Sequence, residues 1–198
     1  MKKFTLIIFT ILVVFLFSLS AYAGAPMEKL RADVNKVLDV LKDPSRKAGL
    51  AKDIKNDKIL PIYEDMFDDV ELSKRALARN WNNLSVPQRR EFVKLFRQLL
   101  EKTYGDKILS YNDEKVVFDK ETMLSEKIAE VQTRVITSSK EVPVSYRMIL
   151  KNNVWKVYDV VIENISLVQN YRTQFNEILA KDTNEQLLDI LRKKVKDQ

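Results

Sequence analysis

The sequence predicts an α+β domain: a four-stranded, mainly antiparallel sheet with helices wrapped over one face. Three observations predict it. Apolar residues recur at helical spacing up to about residue 104. The period then drops to two over four consecutive segments, 115–119, 126–138, 142–150 and 154–163. From Leu167 the helical period returns. Helices, then strands, then helices is the order of an α+β layer rather than of alternating parallel units.

The chain opens with MKKFTLIIFTILVVFLFSLSAYAGAP. Lys2 and Lys3 precede an apolar run from Phe4 to Leu19, and Ala21-Tyr22-Ala23 has the small-x-small form of a cleavage site. This reads as a secretory signal peptide over residues 1–23, followed by one domain over 24–198. An uncleaved anchor is the alternative, but the run is short for a bilayer span, which takes about 20 residues. Removing Lys2 and Lys3 lowers the formal charge from +6 to +4. That modest, scattered excess suits acidic partners or an anionic membrane surface and is no nucleic-acid footprint.

The first helix of the domain is expected over residues 27–41, with Leu30, Val34, Val37, Leu38 and Leu41 on one face. Pro44 breaks it. A more charged helix is expected over 45–60, and Asp68 or Asp69 caps a short one holding Leu72, Ala76 and Leu77. The clearest helix follows Ser85, with Gln88 completing a capping box and Pro87 in the first turn. Phe92, Phe96, Leu99 and Thr103 lie on one side of it, and Leu95, Leu100 and Tyr104 widen the stripe. Gly105 is a candidate bend.

In the second strand Ala129, Val131, Thr133 and Val135 alternate with Glu130, Gln132 and Arg134, a half-buried pattern. The third groups Val144, Tyr146, Met148 and Leu150. Short links SSKE and KNN predict hairpins joining the last three strands. Val168, Tyr171, Phe175, Ile178 and Leu179 stripe the next helix, and Asp182 or Thr183 caps a last one with Leu187, Leu188 and Leu191.

Much chemistry is excluded by composition. There is no histidine and no cysteine, so imidazole bases, thiolate nucleophiles, haem attachment and zinc thiolate sites are out. Three glycines cannot build a phosphate-cradling loop. Glu64, Asp65, Asp68, Asp69 and Glu71 cluster but lack calcium-loop spacing and its glycine, so a helix start with acidic caps is expected rather than a metal. Asp159, in an apolar strand, is either a general acid or a structural acceptor, with Arg147 or Arg172 as partner. No nucleophile or partner base accompanies it. What remains is apolar surface, which fills a solid core or lines a cavity; residue pattern alone does not separate the two.

The segment VWKVYDVVIENISLVQNYRTQF resembles the signature of the MlaC family, also called the toluene-tolerance Ttg2D family. The matching positions are Trp155, Lys156, Val157, Tyr158, Asp159, Val160, Glu163, Ile165, Ser166, Asn170, Tyr171, Arg172 and Phe175, with Asn164 at a usual glycine. Upstream, Ala76, Leu77, Ala78 and Trp81 match another motif, with Ala78 at its usual glycine. Pro87-Gln88-Arg89, Phe92 to Tyr104 and VPVSYRMI also match. The resemblance covers about residues 27–195.

The resemblance implies a distantly NTF2-like sheet with a deep apolar pocket, and a monomeric, non-enzymatic periplasmic carrier of phospholipid without cofactor. It implies exchange with an inner-membrane ABC transporter bearing an MCE-domain ring and with an outer-membrane lipoprotein–porin complex, in maintenance of outer-membrane lipid asymmetry. The alternatives are a solid-core periplasmic adaptor and an NTF2-like enzyme centred on Asp159. From facing and motif together, the lipid-lining candidates are Phe92, Phe96, Leu99 and Tyr104 on the long helix. Val131, Val135, Val144, Tyr146, Met148, Trp155 and Val157 are the candidates on the sheet, and Val168, Tyr171 and Phe175 on the helix after it. Arg147 and Arg172 are candidates for an ion pair or for the head-group mouth.

Overall fold

The computed structural model describes residues 25–43, 54–110 and 113–197. The expected signal peptide and most of the helix expected at 45–60 lie outside them. No helix among the described residues is long and apolar enough to cross a membrane.

Helix α1, Ala25–Lys42, buries Leu30, Val34 and Leu41 and lies across β1, β2 and β4 of the sheet. A π-helical turn, Ile54–Ile59, runs into the short α2, Leu60–Met66. Phe67 then forms a parallel bridge with Val157, and the Asp68 N–H donates to the Val157 carbonyl at 2.9 Å. Asp68 caps α3, Asp69–Leu77, by accepting from the Glu71 N–H. A 3₁₀ turn, Ala78–Asn83, leads to α4, Val86–Leu109, which starts with the expected Ser85–Gln88 capping box and runs unbroken through Gly105.

The sheet has five strands, in the order β1-β2-β3-β4-β5, each antiparallel to its neighbour. They are β1 Lys115–Ser125, β2 Ile128–Ile136, β3 Glu141–Lys151, β4 Val154–Ile162 and β5 Ile165–Ser166. The fifth departs from the four expected: it is a two-residue return, too short to show a period. Strand β1 also continues past Asp119 to Ser125, where polar and exposed residues hide its alternation. Ser166 caps α5, Leu167–Leu179, and the Thr183 hydroxyl accepts from the Gln186 N–H at the start of α6, Asn184–Asp197.

Tight turns carry the hairpins. Asn152 and Asn153 both have positive φ, as do Glu163 and Asn164, which is the two-residue hairpin geometry that follows strand twist. Asn164 and Ala78, which stand where the MlaC-like pattern has glycine, have φ of 67° and 49°. The glycine preference at both places is therefore a backbone requirement; Asn meets it with little strain, Ala with more.

Buried side chains fall into two clusters. One lies among helices α3 to α6: Phe92, Phe96, Leu99, Tyr171, Phe175, Leu187, Leu188 and Leu191 are at its heart. The other lies between α1 and the sheet: Leu30, Val34, Met66, Ala129, Val131, Met148, Trp155 and Val157. Phe67 packs against both.

Candidate functional site: an apolar cavity between two cores

A cavity of about 460 Å³ lies where the two clusters meet. Six parts of the chain wall it. Helix α1 supplies Val34, Val37 and Leu38, and the α2 region supplies Ile59, Leu60, Tyr63, Met66 and Phe67. Leu72 of α3 and Leu167 at the start of α5 close two corners. The last turns of α4 contribute Leu100, Glu101, Tyr104, Gly105, Lys107, Ile108 and Leu109, and the sheet contributes Val116, Val144, Tyr146, Val160 and Ile162.

A register shift explains the sheet's contribution. Between Arg147 and Met148 on β3, the β4 partners jump from Asp159 to Val157, so Tyr158 is an extra residue. A bulge re-aims the side chains beyond it. Val160 and Ile162 therefore lie opposite Tyr146 and Val144, on the cavity face. Asp159 lies opposite Arg147, which lies opposite Glu130, on the other face.

The polar groups at the wall are mostly satisfied by protein. The Tyr63 hydroxyl donates to Asp69 Oδ1 at 2.5 Å, and its ring stacks on Phe67 at 4.5 Å. Burial, reinforced by the Asp69 carboxylate, pushes the Tyr63 hydroxyl far above its ordinary range, and burial also raises Asp69. Glu101 accepts from Arg97 Nε at 2.9 Å. Tyr146 is enclosed enough that burial lifts its hydroxyl to about 12. It is partly buried and lines the cavity. Burial raises Tyr104 as well. Such a chamber suits an apolar guest: it offers dispersion contact on every wall and little hydrogen bonding.

The fourteen lining candidates separate into groups. Tyr104, Val144 and Tyr146 border the cavity. Phe92, Phe96, Leu99, Val168, Tyr171 and Phe175 sit together in the helical cluster, where Phe96 meets Tyr171 at 4.9 Å and Phe175 at 5.2 Å. Val131, Met148, Trp155 and Val157 lie in the cluster beneath α1. Val135 is half-buried on β2, opposite Val116 and Val142. The wall residues absent from that set come from α1 and the α2 region, from the last turns of α4, and from Leu72, Val116, Val160, Ile162 and Leu167. The stripe of Val34, Val37 and Leu38 was visible in the sequence; that it covers a hollow was not.

The other candidates find structural partners. Asp159 is 1% exposed and accepts from Val168 N–H at 3.0 Å, Ser166 Oγ at 2.7 Å and Arg147 Nη1 at 3.2 Å, so it ties β4 to the start of α5 and to β3. It is not a wall residue of the cavity. Arg147 also reaches Glu130, while Arg172 donates to the Arg75 carbonyl at 2.9 Å and not to Asp159. The acidic cluster is used up in the same way. Glu64 pairs with Arg97, Asp65 with Lys29, Asp68 and Glu71 with Lys151, and Asp69 takes the Tyr63 hydroxyl. Among the described residues no group of three acidic side chains could hold a metal ion.

Comparison with known proteins agrees with this architecture. The profile of the family described as MlaC protein matches residues 31–193. The intermembrane phospholipid transport system binding protein MlaC of Haemophilus influenzae is 25% identical over 135 residues, 64% of this chain and 63% of that protein's length. The toluene tolerance protein ttg2D of Pseudomonas putida is 23% identical over 169 residues, 84% of this chain and 79% of that one. A phospholipid-binding protein from Ralstonia solanacearum, solved in complex with a phospholipid, superposes with a TM-score of 0.76 at 23% identity. That match covers 88% of this chain and 98% of the other, and it shows the same fold. With the family profile spanning most of its length, this chain belongs to the MlaC family.

Proposed function

We propose that this protein is a non-enzymatic phospholipid carrier of the periplasm, which holds acyl chain in the cavity between its two cores. The cavity is the observation that carries this reading. Its volume falls in the range of small-molecule sites, about 300–1,000 Å³, and its walls are overwhelmingly aliphatic and aromatic. The names of the relatives support the cargo, since they describe phospholipid transport and phospholipid binding.

The energetics require no catalyst. Each methylene taken from water contributes about 0.8 kcal/mol, so an acyl chain of some fifteen methylenes gains roughly 12 kcal/mol by burial. That gain offsets the cost of carrying a tail through an aqueous space. Asp159, the carboxylate on which the enzyme reading centres, is occupied by three donors on the face of the sheet away from the cavity.

In this reading residues 1–23 direct export and are removed. The carrier takes lipid from or delivers it to an inner-membrane ABC transporter with an MCE-domain ring, and exchanges with an outer-membrane lipoprotein–porin complex. Its role is maintenance of outer-membrane lipid asymmetry. Mass spectrometry of organic extracts from the purified protein tests the cargo, with a periplasmic protein of similar size as control. Phospholipid close to stoichiometric with protein is expected. Absence of lipid, persisting after incubation with labelled phospholipid vesicles, would overturn the carrier reading and favour an adaptor that holds no lipid.

A further inference from the structure

Among the described residues two charged side chains stand in the cavity wall, and both belong to α4: Glu101 and Lys107. Six residues of helix put them about 9 Å apart along the axis. Their surroundings are opposite in sign. Glu101 is held by Arg97, which also meets Glu64 at 2.7 Å and Asp69 at 3.7 Å, so three carboxylates share one guanidinium at that end. Lys107 has an exposed side chain and no ion pair among the described residues. Its ammonium stands 5.8 Å from the centre of the Tyr104 ring, itself part of the wall. A cation over an aromatic face is weakly held in place while keeping its hydrogen-bond donors free. Ile108 beside it is 45% exposed and also lines the cavity, so the chamber meets solvent there. The two arginines that were candidates for a head-group mouth are committed elsewhere, Arg147 to Asp159 and Glu130 and Arg172 to the Arg75 carbonyl.

We infer that Lys107 is the head-group contact of this cavity: a bound lipid lies with its phosphate at the Lys107 end and is repelled from the carboxylate-rich end around Glu101. This rests on the phospholipid-carrier reading and adds an orientation and a specificity to it. Phosphate makes a stronger, charge-assisted contact with an ammonium than a hydroxyl head can.

Two ligands with identical short tails separate head from tail: dioctanoyl-phosphatidylglycerol and dioctanoylglycerol. Binding of each to delipidated wild-type protein and to the Lys107→Gln and Lys107→Arg variants is measured by calorimetry at low and high salt. Wild type is expected to favour the phosphate-bearing lipid, with the preference weakening in salt. Lys107→Gln should cut that preference by about threefold to fivefold, the scale of an exposed ion pair, and Lys107→Arg should keep it. Equal weakening of both ligands, or no change in the preference, overturns the inference while leaving the carrier reading intact. Lys107-dependent displacement of the lipid by free glycerophosphate at matched concentration also overturns it, since the lysine would then be a general anion site. Binding of neither lipid by wild type would remove the carrier reading itself and this inference with it.

Discussion

The two ends of α4 are made of similar residues and do opposite things. Its N-terminal part sets Phe92, Phe96 and Leu99 into a cluster where ring pairs among Phe92, Phe96, Tyr171 and Phe175 stand 4.9 to 5.7 Å apart, three of them edge to face. Its second half turns Tyr104 and Ile108 toward a hollow of about 460 Å³. Leu100 stands at the boundary, part of the cluster and of the cavity wall. The difference comes from what faces each half. The first half meets α5 and α6, whose stripes interdigitate with it. The second faces, across the hollow, α1, the α2 region and the sheet, which already pack against one another through Leu30, Met66 and Trp155 and leave a gap. Solid and hollow are thus properties of the partner elements, not of the helix.

The largest expected effect compares truncation in the two regions. Phe96→Ala should cost about 3–5 kcal/mol, since it opens a void in a filled cluster. Leu38→Ala, at the cavity wall, should cost only about 1 kcal/mol, because that side chain already lacks neighbours on one side. Urea midpoints of both variants after delipidation check this; equal costs would mean that the wall at Leu38 is packed as tightly as the aromatic cluster.

Next comes Asp159. Its replacement by alanine strands the Val168 N–H, Ser166 and Arg147, and should destabilise by about 2 kcal/mol. Lipid content per folded molecule should stay at the wild-type value, as extraction after size exclusion would show. Loss of lipid without loss of stability would return Asp159 to the functional site.

Ala78→Gly should go the other way. With φ of 49° and ψ of −122°, Ala78 holds backbone that glycine adopts freely. The gain should be about 0.5–1 kcal/mol, read as a raised melting temperature.

The smallest effect is electrostatic and lies at the α1–α2 wall. Lys29 donates to Asp65 at 3.0 Å and holds its carboxyl below the ordinary value of 3.8. A depressed carboxylate stabilises the fold above its unfolded value and loses that contribution as pH falls through the folded one. Asp65 is half exposed, so solvent screening limits the contribution to about 0.5 kcal/mol. Wild type should exceed Asp65→Asn in urea resistance near neutral pH, and the gap should close below pH 3.8.

Much of the fold was legible because the responsible signals are local. The Ser85–Gln88 capping box starts α4 as its residues predict. Ala129, Val131 and Thr133 turn inward as their alternation predicts, with the Thr133 hydroxyl satisfied by the Val144 carbonyl at 2.9 Å. The MlaC-like motif also carried family and fold. The cavity wall was less legible, for two physical reasons. The bulge at Tyr158 inverts the facing of the residues after it, so alternation counted from Trp155 assigns Val160 and Ile162 to the wrong side. The other reason is that Phe92, Phe96, Tyr171 and Phe175 carry the same apolar stripe whether they face a ligand or one another. Only the placement of α5 and α6 against α4 decides that.

In the proposed carrier, lipid occupies the gap between the cores and not the aromatic cluster. Filling the gap in one variant and trimming the cluster in another, with bound phospholipid counted by mass spectrometry, separates the two places. Val160→Trp places a large ring in the cavity opposite Tyr146, at an overpacking cost of about 1–3 kcal/mol, while Phe96→Leu trims the aromatic cluster. Val160→Trp should fold and lose most of its lipid, and Phe96→Leu should keep a wild-type complement. A folded Val160→Trp protein that still carries a full complement of phospholipid would contradict occupancy of the gap.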